Sequence, residues 1–350
     1  MFSMMQGQTV QELHFCQQGS LNAVIAIHNL TLGPALGGCR FIDYENEEQA
    51  ITDALRLAKG MSYKAALARV PQGGGKAVII KPKGSFDRQQ LFKQFGQFIQ
   101  SLSGRYITAM DSGTQVQDMD DIRSQTTFVS SSSNIGDPSP ATAQGVVLGM
   151  ITAVEFQLGQ DMKGLTVAIQ GLGHVGMALA KQLHKEGAKL IVCDVDEQKS
   201  LWAQQAFGAT VVNVDDIYSQ QCEVFSPCGL GAVLNEKTIS QLKCKVIAGC
   251  ANNQLAQDDI GQMLHEKKML YVPDYVINSG GLIFASGRFR GLSANQIGHE
   301  IFKLKDTLNK IFILSKNKKQ ASHQIANEMA EHILYGAQAH NSNANMLEAV

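Results

Sequence analysis

The sequence has 350 residues, of which 44% are hydrophobic, and its mean hydropathy is -0.07. This combination predicts a folded protein of about two domains and excludes a largely disordered chain. Charged residues make up only 17%, and 30 basic residues balance 31 acidic ones. Proteins that bind nucleic acid or anionic membranes usually carry a basic excess on one face, so neither partner is expected.

The N-terminal segment and the cysteines bear on cellular location. Residues 1–10 lack the basic and apolar regions of a secretory signal, and no stretch is expected to reach the roughly 18 apolar residues of a spanning helix. The seven cysteines are scattered and form no CxxC pair, so neither a disulfide framework nor a zinc site or other metal site is expected. These features predict a cytoplasmic protein.

The first third of the chain predicts alternating strands and a helix. A β-rich run spans residues 22–28, and residues 46–68 place apolar side chains at helical spacing behind a Glu-rich first turn. Two further β-rich runs cover residues 76–81 and 105–109. Stacked Ser, Gly and Pro residues at 130–140 resist both structures and mark the strongest domain boundary.

A second alternating region follows this boundary, and it predicts a parallel, doubly wound sheet because its strands are separated by helices. The fold class is therefore α/β with two domains: a substrate-binding and catalytic domain at 1–130 and a Rossmann-type dinucleotide-binding domain at 131–320. A helical tail, 321–350, is expected to pack back on the first domain. The predicted helices are 143–158, 175–184, 198–207 and 301–334; the predicted strands are 166–170, 189–194, 223–226, 245–248 and 270–272.

A GxGxxG sequence lies between a predicted strand and a predicted helix, which is the context of a dinucleotide-binding fingerprint. Asp194 ends the next strand about 20 residues later, where a carboxylate accepts hydrogen bonds from both ribose hydroxyls and repels a 2′-phosphate. Asp196 adds a second negative charge and no arginine follows, so NAD is favoured over NADP. The fingerprint residues are Gly171, Leu172, Gly173, His174, Val175 and Gly176.

Two lysines and one aspartate form the candidate catalytic group. Residues 71–76 end in GGGK, but the spacing excludes a P-loop, since Val70 and Ala77 occupy positions that need Gly and Ser or Thr. The alternative is that the three glycines leave bare backbone for a small ligand beside Lys76. Of the two lysines, Lys64 and Lys76, one that is shielded from water beside the other cation can act as a general base, while the other stays charged and holds a carboxylate. Asp111 lies just after the strand predicted at 105–109.

Six segments together resemble the leucine, phenylalanine and valine dehydrogenases, within the wider glutamate dehydrogenase superfamily. The resemblance covers about residues 13 to 334 and keeps the order and spacing of the family's motifs. It implies NAD-dependent, reversible oxidative deamination of an L-amino acid to a 2-oxo acid and ammonia, in two domains that close over the substrate. The segments are LGPALGGCR at 32–40, GMSYK at 60–64, GGGK at 73–76, the fingerprint at 171–176, ANNQL at 251–255 and PDYVINSGG at 273–281.

The resemblance also implies roles for individual residues. Lys64 holds the substrate carboxylate together with the backbone of Gly37 and Gly38, and Lys76 is the general base that activates water. Asp111 handles the amino group and proton transfers. Residues expected to contact the cofactor are Thr142 at the nicotinamide amide, Cys228 and Gly229 on the adenosine side, and Ala251, Asn252 and Asn253, of which Asn253 also contacts substrate.

Specificity is expected at an apolar side-chain pocket. The lysine and serine that hold the distal carboxylate in glutamate-specific relatives correspond to Leu36 and Ala285, and Met61 and Leu282 line the same pocket. An apolar pair cannot compensate a buried carboxylate, so glutamate is expected to be rejected. The segment 284–288 departs from the family pattern and leaves leucine, methionine, phenylalanine and tryptophan open, with a branched-chain substrate favoured.

Two other functions compete with amino-acid dehydrogenation. A hydroxy-acid dehydrogenase would use a His or Arg pair; Arg40 is present, but the glycine-rich region has no His with a carboxylate partner. A catalytically silent NAD-binding protein would not need Lys64, Lys76 and Asp111.

Met110 is a further departure from the leucine enzymes. The resemblance implies a homo-oligomer, an octamer or a dimer.

Overall fold

The computed structural model describes residues 10–336, which divide into two compact units. The first unit contains residues 10–136, 285–293 and 330–336, and the second contains 137–284 and 294–329. The chain passes into the second unit after Gly136, inside the segment predicted as a boundary. The domain limits drawn from the sequence at 130 and 320 stay a prediction. The compact units divide the chain differently, since residues 285–293 belong to the first unit.

The first unit is built on a mixed five-stranded sheet of order β1-β2-β4-β3-β5. Strand β2 runs antiparallel to β1 and β4, whereas β3 runs parallel to β4 and β5. The helices of this unit are α1, Glu47–Ala68; α2, Arg88–Ser101; and α3, Val116–Arg123. The strands are β1, Glu12–Gln18; β2, Leu21–Asn29; β3, Ala35–Ile42; β4, Gly73–Ile80; and β5, Tyr106–Met110.

Both faces of this sheet are buried, which follows from the two-residue period of a strand. In β2, Val24 and Ala26 pack with α1, whereas Ile25 and Ile27 pack with the aromatic face of α2. The runs predicted at 22–28, 76–81 and 105–109 are therefore strands, and the helix predicted at 46–68 is α1. Strands β1 and β3 were not predicted. Strand β3 carries adjacent glycines, which are unfavourable for an isolated strand.

The second unit contains a six-stranded, wholly parallel sheet of order β11-β10-β9-β6-β7-β8. Numbered from its first strand, this is the 3-2-1-4-5-6 order of doubly wound dinucleotide-binding folds, so the predicted fold class is confirmed. The strands are β6, Thr166–Gln170; β7, Lys189–Cys193; β8, Thr210–Val211; β9, Val224–Pro227; β10, Val246–Ile247; and β11, Leu270–Tyr271.

Helices of varied length connect these strands and follow them. The helix predicted at 175–184 is α5, and that predicted at 198–207 is α6. The remaining chain is helical, as predicted for 301–334, although it is divided into three helices. The helices are α4, Ser139–Leu158; α5, His174–Lys185; α6, Glu197–Phe207; α7, Glu236–Ile239; α8, Asp258–Glu266; α9, Asp274–Ile277; α10, Gly280–Phe289; α11, Ala294–Phe302; α12, Leu304–Lys318; and α13, Ser322–Tyr335.

Helix α4 departs from two sequence-based expectations. It begins at Ser139, within the segment expected to resist helix, because Pro140 lies in its first turn where proline is tolerated. Its 20 residues are also long and apolar enough to cross a membrane, contrary to the expectation that no stretch reaches this length. The helix packs against α5 and α12 and buries Val146, Met150 and Val154, as a core helix does. The cytoplasmic location stays a prediction.

The C-terminal helix α13 contributes to the first unit through its last residues. Tyr335 contacts the ring of His28 with an Oη to Nε2 distance of 3.1 Å, and Glu331 accepts a 2.6 Å hydrogen bond from Tyr63. Residues 330–336 thus belong to the first unit. The remainder of the predicted tail, 337–350, lies outside the described residues.

His28 predicts an acid-dependent loss of stability. Burial, reinforced by the positive charge of Lys59, lowers the pKa of His28 from 6.5 to about 4. The unfolded chain therefore binds a proton that the folded chain excludes between these values, and stability falls as pH drops through this window. We expect the substitution His28→Gln to flatten the decline of unfolding free energy from pH 7 to pH 5, a decline of about 2 kcal/mol.

Urea unfolding at pH 7, 6 and 5 measures this effect. The matched control is His332→Gln, which alters an exposed histidine on α13. His332→Gln is expected to retain the pH dependence of the wild type. If His28→Gln loses stability on acidification as steeply as the wild type, another group is responsible.

Candidate active site

The centre of the first unit is a buried ion pair between Lys76 and Asp111. Lys76 belongs to β4 and Asp111 follows β5, while β3 lies between these two strands and supplies Gly37 and Gly38. The Lys76 side chain is 7% exposed and that of Asp111 is 24% exposed. The topology therefore brings together four residues that the sequence assigned to one site.

The electrostatics of Asp111 favour its ionised form. Burial alone would raise the pKa of Asp111, but the Lys76 ammonium beside it, with its hydrogen bond, holds the pKa below the usual range. Arg40 contributes a smaller effect in the same direction. Asp111 is thus a carboxylate that can accept a proton from Lys76 or from a bound amino group.

Arg40 is a member of this site that sequence reasoning did not assign to it. Its Nε lies 3.5 Å from Oδ2 of Asp111, and its terminal nitrogen donates a 2.7 Å hydrogen bond to Asp53. Tyr44 donates a second 2.7 Å hydrogen bond to the same Asp53 oxygen. Tyr106 was also missed; its hydroxyl donates to the carbonyl oxygen of Gly37 at 2.7 Å.

The glycines at 73–75 do not leave bare backbone for a ligand, which corrects the sequence-based interpretation. A Cβ at Gly73 would lie 2.0 Å from the carbonyl oxygen of Asn29, and one at Gly74 would lie 2.0 Å from the amide nitrogen of Ser62. At Gly75 the nearest atom would be a ring carbon of Tyr106, at 3.0 Å. These glycines are needed for close packing of β4 against its neighbours.

Gly38, in contrast, faces the ion pair. A Cβ there would lie 2.7 Å from Cβ of Asp111 and 3.3 Å from Nζ of Lys76. The absence of a side chain at Gly38 is therefore what lets Asp111 and Lys76 pack against the β3 backbone.

The substitution Gly38→Ala is expected to reduce turnover by about tenfold or more, because the new methyl group displaces Asp111 by several tenths of an ångström and misaligns the pair. Steady-state kinetics measure the effect. The matched control is Gly60→Ala, in the interior of α1, where an added Cβ meets no atom within 4 Å. Gly60→Ala should retain turnover. Equal activity of the two variants would show that Gly38 does not border the reacting atoms.

The other predicted substrate residues of the first unit lie on adjacent elements. Met61 and Lys64 are three residues apart on α1 and so share a face of that helix. Leu36 lies in β3 opposite Gly74 and is 2% exposed. Ala285, in α10, is half-buried and also belongs to the first unit.

In the second unit, the fingerprint glycines have the geometry expected of a dinucleotide turn. Gly171 follows β6 with φ of +99°, a value that favours glycine. A Cβ at Gly176 would lie 2.2 Å from the carbonyl oxygen of Gly171, so helix and turn require this close approach. A Cβ at Gly173 would have no neighbouring atom within 4 Å among the described residues. The N-terminus of α5 thus has room for an anion, as a pyrophosphate site requires.

The turns after β6 and β9 meet where the strand order reverses, which is where such folds bind their ligand. A Cβ at Gly171 would lie 2.7 Å from the amide nitrogen of Gly229, and one at Gly176 would lie 3.4 Å from Cβ of Cys228. The structure therefore brings Cys228 and Gly229 to the fingerprint, although they are more than 50 residues away in sequence.

Asp194 lies directly after β7 and faces the fingerprint. Its Oδ2 accepts a 2.6 Å hydrogen bond from the amide nitrogen of Leu172, and its side chain is 9% exposed. Lys199 lies 4.0 Å from Asp194 and 3.6 Å from Asp196. The ribose-binding role that the sequence assigns to Asp194 stays a prediction.

The remaining predicted cofactor and substrate residues lie on loops and helices of the second unit. Asn252 accepts a 2.8 Å hydrogen bond from the side chain of Asn278, and Asn253 has a left-handed φ of +52°. Thr142 lies in α4, where a Cβ at Gly281 would come within 2.6 Å of its hydroxyl. The side chain of Asn278, which the sequence did not single out, anchors the ANNQL loop. Ala251 and Leu282 are both buried.

Two family models match the chain. "Glu/Leu/Phe/Val dehydrogenase, dimerisation domain" matches residues 9–128, and "Glutamate/Leucine/Phenylalanine/Valine dehydrogenase" matches residues 135–207 and 192–342. The chain is 46% identical over 338 residues to leucine dehydrogenase of Bacillus subtilis (strain 168), covering 95% of the chain and 93% of that relative. Identity to L-tryptophan dehydrogenase of Nostoc punctiforme is 43% over 327 residues, covering 92% of each.

Solved structures agree with the fold. The crystal structure of L-tryptophan dehydrogenase from Nostoc punctiforme superimposes with a TM-score of 0.87 and 40% identity, covering 97% of this chain and 100% of that chain. Glutamate dehydrogenase from Peptoniphilus asaccharolyticus gives a TM-score of 0.75 at 17% identity, covering 97% and 94%. The second likeness concerns the fold alone.

Proposed function

The chain belongs to the Glu/Leu/Phe/Val dehydrogenase family and is an amino-acid dehydrogenase, and from this premise we propose that it interconverts an apolar L-amino acid with its 2-oxo acid and ammonia. The observation that carries the proposal is the buried ion pair of Lys76 and Asp111, which packs against the backbone of Gly38. Family membership implies a nicotinamide dinucleotide cofactor. When bound, this cofactor accepts a hydride from the substrate Cα.

The first unit supplies the proton chemistry. Lys64 binds the substrate carboxylate, with the Gly37 and Gly38 backbone beside it. Loss of hydride from Cα leaves an iminium, and Lys76, once it has passed a proton to Asp111, removes a proton from water as that water adds to the iminium carbon. Asp111 is placed to accept a proton from Lys76 and to return one to the departing amine. The products are a 2-oxo acid and ammonia.

Arg40 positions Asp111 in this scheme. Its guanidinium is held by Asp53, which in turn accepts from Tyr44, so its direction toward Asp111 is fixed by two hydrogen bonds. A fixed positive charge beside Asp111 favours the carboxylate form. Arg40, Asp53 and Tyr44 thereby support the ion pair.

Leucine or another branched-chain amino acid is the favoured substrate. The apolar residues Leu36 and Ala285 stand where a distal carboxylate would need a lysine and a serine. The leucine dehydrogenase of Bacillus subtilis is 46% identical to this chain. An aromatic substrate is the second candidate, favoured by the small side chain of Ala285 and by the likeness to L-tryptophan dehydrogenase of Nostoc punctiforme.

The reaction is tested by NADH oxidation with ammonium and a panel of 2-oxo acids. We expect turnover with 4-methyl-2-oxopentanoate that depends on ammonium, and slower turnover with phenylpyruvate. Omitting ammonium is the control, because a hydroxy-acid dehydrogenase would oxidise NADH without it. Ammonium-independent turnover would contradict the proposal, as would inactivity with every oxo acid, which is expected of a silent NAD-binding protein.

NAD rather than NADP is the proposed cofactor. Asp194 is close enough to the fingerprint to accept from the ribose hydroxyls, and a 2′-phosphate there would meet this carboxylate and that of Asp196. Lys199 offsets part of this charge at 3.6 to 4.0 Å. We expect kcat/KM for NADH to exceed that for NADPH by about 100-fold, equal to about 3 kcal/mol of repulsion and lost hydrogen bonds.

Kinetics of the wild type with both cofactors measure this preference. The substitution Asp194→Ser should narrow the ratio by raising KM for NADH and lowering it for NADPH. Glu197→Gln, which removes a charge from the exposed start of α6, is the control and should leave the ratio unchanged. A wild-type preference for NADPH would exclude the proposed role of Asp194.

We also propose that the chain forms a homo-oligomer, an octamer or a dimer. The model that matches residues 9–128 describes a dimerisation domain. Strand β1 lies at the edge of its sheet and exposes 45% of Phe15, a combination that proteins usually cover. The low proportion of charged residues agrees with extensive subunit contacts. Light scattering tests the mass directly.

A further inference from the structure

Two cysteines lie side by side at the ends of neighbouring parallel strands in the second unit. Strands β9 and β10 pair with Val246 opposite Val224, and the same register four residues later places Cys250 opposite Cys228. The hydrogen bond from the Ala251 amide to the Pro227 carbonyl, at 3.0 Å, holds the two chain segments together beyond the strands. Sγ of Cys250 lies 3.9 Å from the carbonyl oxygen of Cys228.

The environments of the two thiols differ in a way that assigns their chemical roles. A hydrogen bond from the Cys250 thiol lowers the pKa of Cys228, and Ser226 adds a contact of 3.4 Å from its hydroxyl to Sγ. The same hydrogen bond, together with burial, raises the pKa of Cys250. Cys228 is therefore the nucleophile and Cys250 the resolving thiol.

This pair differs from the other cysteines of the second unit. Burial raises the pKa of Cys193 and of Cys222 to about 11, and that of Cys244 to about 12. All three are buried, whereas Cys228 and Cys250 are partly exposed. Within the second unit, the two thiols that lie together therefore belong to the cysteines that are partly exposed.

We propose that Cys228 and Cys250 are a reversible oxidation site whose disulfide weakens dinucleotide binding. A hydroperoxide is the oxidant. The Cys228 thiolate attacks one peroxide oxygen, the O–O bond breaks, and a sulfenic acid forms with release of water or an alcohol after proton uptake. The Cys250 thiol then attacks the sulfenic sulfur, the S–O bond breaks, and a second water leaves. The two thiols are oxidised by two electrons and the peroxide is reduced.

The consequence for binding follows from the position of Cys228, and it rests on the proposed dinucleotide site. Cys228 borders the fingerprint, since a Cβ at Gly176 would lie 3.4 Å from its Cβ. Cys250 immediately precedes the loop of Ala251, Asn252 and Asn253. A disulfide requires sulfurs about 2.05 Å apart and a dihedral angle near 90°, so both side chains must give up their present contacts with Ser226 and the Cys228 carbonyl. The bond then ties the turn at Cys228 to the loop of Ala251, Asn252 and Asn253 and changes the surface proposed for cofactor binding.

The test uses the full-length enzyme treated with hydrogen peroxide, quenched with a thiol-alkylating reagent and digested for mass spectrometry. We expect a peptide that contains a Cys228–Cys250 disulfide, and an increase of about tenfold in the Kd for NADH, equal to about 1.4 kcal/mol. NADH fluorescence measures the Kd without turnover. Dithiothreitol should restore both the free thiols and the affinity.

Two variants separate this site from general oxidative damage. Cys250→Ser should keep its NADH affinity through peroxide treatment, because no disulfide can form without the resolving thiol. Cys16→Ser, which removes a half-buried thiol of the first unit, should lose affinity as the wild type does. These readouts do not depend on which amino acid the enzyme oxidises, so failure here is distinguishable from failure of the proposed reaction.

Three outcomes would overturn the proposal: no Cys228–Cys250 disulfide in the digest, a disulfide with unchanged Kd for NADH, or equal loss of affinity in Cys250→Ser and the wild type. If untreated protein fails to bind NADH at all, the assignment of the dinucleotide site is wrong. The disulfide measurement still tests the thiol chemistry in that case, because it needs no cofactor.

Discussion

The substitution Lys76→Ala is expected to lower kcat by about 10² to 10⁴-fold, the usual contribution of a positioned acid or base. Lys76 is 7% exposed and paired with Asp111, so its removal takes away the group proposed to activate water and leaves Asp111 with Arg40 as its ion-pair partner. The change is measured in both directions, by NADH formation from leucine and by NADH oxidation with ammonium and 4-methyl-2-oxopentanoate.

Two controls make this result specific. Lys81→Ala removes an exposed lysine just beyond the same strand and is expected to retain wild-type kcat. Lys76→Ala itself should still bind NADH with wild-type affinity, because the fingerprint lies in the other unit. This binding would show that the variant is folded. Added ethylamine should restore part of the oxidative activity by replacing the missing amine. Undiminished turnover of Lys76→Ala would remove Lys76 from the mechanism.

Discrimination against glutamate is the second large effect. We expect kcat/KM for leucine to exceed that for glutamate by about 10³-fold, because a distal carboxylate buried beside Leu36 and Ala285 would cost about 4 kcal/mol without a partner. The comparison is made with NAD and each amino acid under identical conditions. Glutamate activity equal to or greater than that on leucine would refute the assigned pocket.

Variants of the pocket test the same idea from the opposite side. Leu36→Lys combined with Ala285→Ser is expected to shift the ratio of glutamate to leucine activity by at least about tenfold toward glutamate, since a cation and a hydroxyl can then hold the carboxylate. Leu36→Met, which conserves volume and polarity, is the matched control and should leave the ratio near the wild-type value. NADH binding verifies that each variant remains folded.

Discrimination among apolar substrates is expected to be much weaker. One methylene group in a hydrophobic pocket changes the free energy by only about 1 to 3 kcal/mol. The segment 284–288 departs from the family pattern, and Ala285 is small. The preference between leucine and an aromatic amino acid thus depends on the shape of the pocket, whereas rejection of glutamate depends on the absence of charge.

The sequence by itself predicted the dinucleotide half of the protein in detail. The strand at 166–170 and the helices near 175–184 and 198–207 follow from local apolar patterns, and the fingerprint with Asp194 lies within one βαβ unit. Such features are encoded in short windows, because hydrogen bonding and side-chain burial there repeat with the period of a helix or strand. The parallel sheet was predicted for the same reason.

The catalytic half depended more on tertiary structure. Lys76 and Asp111 were proposed as partners on grounds of chemistry and resemblance, and the sheet order brings them together. Arg40 and Tyr106 were missed because their partners are set by strand order, which adjacent residues do not reveal. Strand β3 carries Gly37 and Gly38, and its pairing with β4 and β5 compensates for their weak strand preference.

What the sequence alone determined is the chemistry available: a dinucleotide fingerprint with an acidic residue after β7, two lysines and an aspartate for an amino acid, and apolar residues where a second carboxylate would bind. Only the tertiary structure decided which glycines serve packing and which one borders the ion pair. It also placed Cys250 beside Cys228, and Tyr335 beside His28 across 307 residues. Contacts between distant segments follow from strand order and helix packing, and no local pattern encodes them.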